Sequence, residues 1–374
     1  MRVAVLVAAR PNFVKTAPLI RALEALGVDA TVVHAGQHYD NVMSEAFLRD
    51  LDIPWPAVNL GVGSGSHGHQ TAATILGVEQ FLCESTPDAI VVAGDVNATM
   101  GGAIAGAKAG IPVVHLEAGL RSFDRSMPEE INRVVTDHLS HLCLAPSRDA
   151  VENLAREGII GERVALVGNC MIDTLLEKLE EARARRIWEK LGLRAEKYAV
   201  LTLHRPSNVD DANKIAELVQ TVLEAATPFD VVFPMHPRTA KMLRPSAISA
   251  SRSSRLMSIE PLGYIDFLSL LISARIVFTD SGGIQEETSV LGVPCVTLRN
   301  NTERPITISL GTNHLGGTRR ESILQVSKEA LESPYPNPKT IPLWDGKSGT
   351  RAARKVVELI EGLTGRHNWE DLQQ

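Results

Sequence analysis

The stretch RVAVLVAARPNFVKTAPLIRALEALG, Arg2 to Gly27, decides the fold. It opens on an almost unbroken apolar run, RVAVLVAA, and continues as VKTAPLIRALEALG, with apolar residues at helical spacing. A strand buried on both faces reads as a continuous apolar run, whereas a helix laid over it repeats every 3.6 residues. The pair recurs as DATVVHAG before NVMSEAFLRDL, DAIVVAG before ATMGGAIAGAKAG, and PVVHLEAG before PEEINRVVTDHL. This alternation predicts an α/β fold of parallel sheets with helices on both faces.

After Val167 a long charged stretch, MIDTLLEKLEEARARRIWEKLG, reads as one helix connecting two domains. A second alternating series follows in YAVLTLH, FDVVFPMHP, ARIVFTD and VPCVTL, with SAISASRSSR (246–255) as an exposed loop. Two α/β halves are therefore expected, residues 1–168 and 169–349. A last helical stretch within 350–374, TRAARKVVELIEGL at its core, is expected to cap the first half.

At 374 residues and 44% hydrophobic content the chain can bury two cores. Its apolar runs are shorter than the roughly 18 residues of a membrane span, and no cleavable leader pattern is present, so a soluble, cytoplasmic protein is expected. Cys83, Cys143, Cys170 and Cys295 are scattered with no CxxC pair, which argues against a disulfide framework and a zinc site. A net charge of -6 and a pI near 6.0 leave no electrostatic footprint for nucleic acid. Any anion must be held locally.

Ligands of parallel α/β sheets bind at the carboxyl ends of strands, which selects five segments. ARPNFVK sets Arg10 at a strand end and Lys15 in the following helix, a fork and a point charge suited to phosphate; a carbonyl cap and a solvated ammonium are the plain alternative. AGDVNAT puts Asp95 after an apolar strand, as a desolvated base or as a helix cap. HLEAGLRSFDRSMPEEINR offers Glu117, expected to point into a site, then Glu129 and Glu130 in a first helical turn that the macrodipole alone explains. TLHRPSNVD and FPMHPRT end strands on His204 with Arg205 and on His236; histidine there can donate to phosphate or move a proton, though a lone one is more often structural. In DSGGIQEE, Ser281, Gly282 and Gly283 leave helix N–H groups open to a phosphate, and Glu287 is placed a turn later to accept from sugar hydroxyls. An ordinary strand-to-helix turn is the alternative there.

Taken together, ARPNFVK, GQHYD, GDVNAT, HLEAGLRSFDRSMPEEINR, VGNCMIDTLL, TLHR, DSGGIQEE and NTERP, in this order from Ala9 to Pro305, resemble the non-hydrolysing UDP-N-acetylglucosamine 2-epimerases. The resemblance implies two Rossmann-like domains in a GT-B arrangement, with the active site in the interdomain cleft. It implies a UDP-sugar substrate, no metal or redox cofactor and a homodimer; the short apolar runs add the expectation of no membrane partner. Asp95, Glu117 and Glu129 match the catalytic carboxylates, and His204 the histidine that assists departure of UDP. Arg10 and Lys15 would contact the phosphates or the sugar, Ser281, Gly282 and Gly283 the diphosphate, Glu287 the ribose, and Arg304 the sugar-phosphate region. Leu262 and Phe267, in EPLGYIDF, match positions lining a uracil pocket. Gln37, Glu130, Arg205 and His236 are candidates for an activating UDP-sugar site, although Thr74 stands where an arginine is expected. GDVNAT also replaces a threonine run, and HRPSN an arginine-rich HRRES.

The reaction so implied inverts C2 reversibly by eliminating UDP to 2-acetamidoglucal and adding it back. The alternatives are a hydrolysing 2-epimerase that releases ManNAc and UDP, a 2-epimerase of a modified sugar such as a diacetamido-uronic acid, and a GT-B glycosyltransferase.

Overall fold

The computed structural model describes residues 1–36, 50–51, 53–235, 237–243, 254–332 and 341–370. The expected helix NVMSEAFLRDL and the loop 246–255 fall largely outside them. The chain divides into two compact units, Met1–Leu176 with Pro342–Gln374, and Glu177–Ile341. Among the described residues no helix is long and apolar enough to cross a membrane.

The first unit is built on β1 (Arg2–Val7), β2 (Asp29–His34), β3 (Val58–Asn59), β4 (Ala89–Ala93), β5 (Val113–Leu116), β6 (Leu142–Ala145) and β7 (Val164–Leu166). All neighbours pair in parallel, in the order β3-β2-β1-β4-β5-β6-β7. Every residue of β4 and β5 is buried, as their apolar sequences require. The helix Asn97–Lys108 lies tight on this sheet because it carries glycine where it touches. A Cβ at Gly102 would stand 2.4 Å from Leu6, and one at Gly106 2.7 Å from Ile90.

The C-terminal helix Ser348–Glu370 packs on the helix Arg10–Ala25 of this same unit. Its start is tied down by the Gly349 amide, which donates to Asp173 Oδ2 at 2.7 Å, and by Arg351 Nε, which donates to the Val167 carbonyl at 2.6 Å.

The second unit repeats the plan with β8 (Tyr198–Thr202), β9 (Asp230–Pro234), β10 (Leu256–Ile259), β11 (Ile276–Thr279), β12 (Cys295–Thr297) and β13 (Asn313–Leu315). Its all-parallel order is β10-β9-β8-β11-β12-β13. Tyr198, Phe233 and Phe278 fill its core, and the buried Tyr198 hydroxyl donates to the Leu270 carbonyl at 2.6 Å.

The charged stretch after Val167 forms two helices, where the sequence predicts one. Cys170–Arg185 ends at Arg186, which takes a left-handed φ of 45°, and a short helix Ile187–Lys190 follows. Ile187 is buried in the second unit's core and its amide donates to Ser269 Oγ at 3.2 Å. That packing, absent from any local pattern, bends the chain at Arg186. The strands β3, β6, β7, β10 and β13 also go beyond the runs read from the sequence; each has four residues or fewer, too short for alternation to stand out.

Candidate active site

In both sheets the strand order reverses beside the first strand, between β1 and β4 and between β8 and β11. Loops leaving two such strands diverge and open a crevice, the usual ligand position in doubly wound folds. The candidate residues Lys15, Asp95, His204 and Ser281 all follow these four strands.

In the first unit, Lys15 Nζ lies 2.8 Å from Oε1 and from Oε2 of Glu117, and both side chains are buried. Glu117 follows β5 with φ at 72°, in the left-handed region that a β-extended glutamate avoids. Gly94, at the end of β4, leaves room for the lysine: a Cβ there would stand 3.1 Å from Nζ. The next residue, half-buried Asp95, pairs with Arg133 at 2.5 Å, and Asn132 Nδ2 donates to the Asp95 carbonyl at 2.9 Å. Glu129 is half-buried in the first turn of the helix Pro128–Leu139.

Glu130 is engaged otherwise. Its oxygens accept from the amides of Ser122 and Phe123 and the Ser122 hydroxyl, each at 2.9 Å, and from Arg133 at 2.7 Å. Burial would push its carboxyl up, yet these donors hold it below the usual range. It acts as the inner brace of the loop between Glu117 and Glu129. Arg10 opens the first helix, with its side chain outside the described residues.

Behind these groups lies a buried cluster. His115 Nδ1 meets Asp137 Oδ1 at 2.6 Å and its Nε2 meets the Gly94 carbonyl at 2.8 Å, while Asp137 Oδ2 receives Arg121 at 2.7 Å and the Gly119 amide at 3.1 Å. One carboxylate thus ties the loop after β4, which carries Asp95, to the loop after β5, which carries Glu117.

In the second unit, Asp280 follows β11 and is wholly buried, and His204 Nδ1 lies 2.7 Å from its Oδ1. Ser281 is the N-cap of the helix Gly282–Leu291, and its hydroxyl makes no cap bond. Gly282 is required sterically: a Cβ would stand 2.2 Å from Arg304 Nη1, so the guanidinium crosses the helix start where a side chain would otherwise be. Gly283 continues that turn. Arg304 pairs with Glu286 at 2.8 Å and with Glu303 at 2.5 Å, and Glu303 also receives Arg299 at 2.7 Å and Arg205 at 3.6 Å. Arg205 further donates from Nε to the Asp280 carbonyl at 3.1 Å.

Glu287 is buried and accepts from the Tyr264 hydroxyl at 3.1 Å. Burial pushes its carboxyl up to about 7; the Tyr264 hydrogen bond opposes the rise and the neighbouring Glu286 charge adds to it. Leu262 and Phe267 are partly buried against the adjoining core. Gln37 and His236 lie outside the described residues.

Sequence reasoning did not assign Asp280, Arg133, Asp137, His115, Tyr264, Arg299 or Glu303. Arg133 carries a local signal, standing three residues after Glu130 on one helix face. Asp280 has no role legible from its motif, because the donors that converge on it come from 72 to 76 residues earlier.

Two Rossmann-like units, each with charged side chains at the carboxyl ends of its strands, define a doubly wound α/β protein of the kind that binds ligands at those strand ends. The chain belongs to the UDP-N-acetylglucosamine 2-epimerase family, an isomerase family, whose model matches residues 21–360. It is 40% identical over 361 residues to a UDP-N-acetylglucosamine 2-epimerase of Methanocaldococcus jannaschii, covering 95% of this chain and 98% of that one. It is 35% identical to the UDP-2,3-diacetamido-2,3-dideoxy-D-glucuronate 2-epimerase of Pseudomonas aeruginosa, covering 97% of this chain and all of that one. Among solved structures, the M. jannaschii UDP-GlcNAc 2-epimerase in complex with UDP-GlcNAc and UDP resembles it with a TM-score of 0.88 and 39% identity, over 96% of this chain and 100% of the other.

Proposed function

We propose that the chain interconverts UDP-N-acetylglucosamine and UDP-N-acetylmannosamine without net hydrolysis. The observation that carries this reading is Glu117, a buried carboxylate held in a left-handed backbone conformation and clamped by Lys15. Backbone strain persists where the surroundings over-determine it, and it clusters at sites that must aim a side chain.

C2 of the sugar has no adjacent carbonyl, so simple enolisation does not operate. In the elimination, a carboxylate takes the C2 proton and the C–H electron pair forms the C1–C2 double bond. The C1–O bond breaks, and its electron pair leaves with the β-phosphate oxygen, giving 2-acetamidoglucal and UDP. Protonating C2 on the opposite face and rejoining the diphosphate oxygen to C1 completes the inversion. We assign the two proton transfers to Asp95, Glu117 and Glu129. Ser281, Gly282, Gly283 and Arg304, with Arg10 and Lys15, offer the donors and positive charge for the departing diphosphate. Glu287 serves the ribose, Leu262 and Phe267 the uracil, and His204 donates to the leaving group.

The test is incubation with UDP-GlcNAc in D2O followed by NMR. Deuterium entering C2 together with UDP-ManNAc is expected; mainly free ManNAc would select hydrolysis, and a demand for an acceptor sugar would select glycosyl transfer. The relative named for the diacetamido-uronate favours a second reading, a modified UDP-sugar. Exchange with that nucleotide and none with UDP-GlcNAc would select it. We further assign the protein to the cytoplasm as a homodimer, to be checked by cell fractionation and by sedimentation.

A further inference from the structure

Among the described residues, every group hydrogen-bonded to the Asp280 carboxylate is a donor. The His204 amide stands 3.1 and 3.2 Å from its two oxygens, the Arg205 amide 3.1 Å from Oδ2, Asn208 Nδ2 3.1 Å from Oδ2, and His204 Nδ1 2.7 Å from Oδ1. Asn208 Nδ2 also donates to the Leu298 carbonyl at 3.1 Å, which fixes the orientation of that amide. A carboxylate only accepts, so an imidazole facing it carries its proton on Nδ1. The His204 side chain is 61% exposed while Asp280 is wholly buried. The exposed ring contributes little packing of its own, and its Nδ1 satisfies one oxygen of the buried carboxylate. What the anchoring does is fix which nitrogen faces outward.

We propose that Asp280 is a positioning residue for the epimerisation, holding His204 in its Nδ1–H form so that the ring meets the leaving diphosphate through Nε2. This rests on the reading of the site given above. With Nδ1–H held by a carboxylate, the ring can bear a second proton on Nε2 and donate it toward the oxygen on which charge develops as the C1–O bond breaks. The proton returns when that oxygen rejoins C1. Arg205, fixed by its contacts with the Asp280 carbonyl and Glu303, flanks the ring on the same loop.

Asp280→Asn inverts this arrangement. An amide has one accepting and one donating end, and the accepting oxygen is claimed by the Arg205 and Asn208 donors. Its NH2 then faces Nδ1, so the neutral ring must carry its proton on Nε2.

The experiment combines nitrogen-15 NMR of histidine-labelled protein, at a pH where the ring is neutral, with steady-state kinetics and UDP binding. The His204 signals are assigned by their loss in His204→Gln. The wild type should show Nδ1 protonated, and Asp280→Asn the Nε2–H tautomer. In that variant kcat should fall about 100-fold or more while the UDP Kd stays within about threefold. In the His204→Gln background the same substitution should change kcat by less than about twofold, because the two residues act as one unit. An unprotonated Nδ1 in the wild-type ring overturns the proposal without recourse to any variant. Equal losses of kcat in both backgrounds, or near wild-type turnover by Asp280→Asn, also overturn it. Wild-type protein that turns over neither UDP-sugar overturns the functional reading and this proposal with it, an outcome told apart from the others because they arise only with active wild type.

Discussion

Lys15 Nζ stands 2.8 Å from both carboxylate oxygens of Glu117, a buried pair joining the first helix to the end of β5. Removing the proposed base while keeping its shape tests the role directly. Glu117→Gln should lower kcat by about 100-fold or more and leave UDP affinity within about threefold. Loss of UDP binding as well would reassign Glu117 to the nucleotide.

The same pair predicts a stability effect. Lys15→Met removes the cation and leaves the carboxylate buried, a change that costs about 3–5 kcal/mol when one partner of a buried pair is lost. Urea unfolding should show the midpoint falling accordingly. A midpoint equal to the wild type would mean that Glu117 re-pairs at no cost.

Glu287 makes the stability of the second unit pH-dependent. Its carboxyl is pushed from 4.5 up to about 7 by burial, so between these values the folded state binds more protons than the unfolded one. The stability this group contributes is fully present below 4.5 and is lost as pH rises through about 7. Glu287→Gln should flatten that part of the stability profile, as read from urea melts across the window. A ribose hydroxyl donating to Glu287 favours the ionised form, so UDP binding near neutral pH should release a proton. Calorimetry in two buffers of different ionisation enthalpy measures it, and proton uptake would contradict the ribose assignment.

Gly282→Ala places a methyl group 2.2 Å from Arg304 Nη1. Either the guanidinium or the helix start must shift, at about 1–3 kcal/mol for an overpacked site. UDP affinity should drop about tenfold or more, whereas Gly362→Ala, where nothing lies within 4 Å, should leave it unchanged.

Asp137→Asn should be the most damaging change away from the substrate. Burial alone would raise this carboxyl, but His115 and Arg121 hold it below its ordinary 3.8. Its stabilisation is therefore present above 3.8 and is lost as pH falls further. The neutral amide leaves the buried Arg121 guanidinium and the His115 ring under-paired, costing about 3–5 kcal/mol. Denaturant melts at neutral pH check this. A loss of turnover without a loss of stability would instead make Asp137 part of the chemistry.

The α/β class, the strand-end positions of Asp95, Glu117, His204 and Ser281, and the place of Lys15 in the helix after β1 were legible because strands buried on both faces announce themselves as continuous apolar runs. The break at Arg186 was not, since the burial of Ile187 against a core formed by later residues sets it. Glu130 looked like one more acid in a helical turn, and only the folded loop brings the Ser122 and Phe123 amides to it.

What the sequence by itself determined is the periodic pattern of apolar residues and the chemical type of group at each strand end, because both are local properties of the chain. What only the tertiary structure decided is who meets whom. Lys15 reaches Glu117 across 102 residues, and Asp280 gathers donors more than 70 residues upstream. Such pairs follow from a strand order that places β4 beside β1 and β11 beside β8. That order is set by crossover geometry and burial of the whole sheet, which no single stretch of the chain encodes.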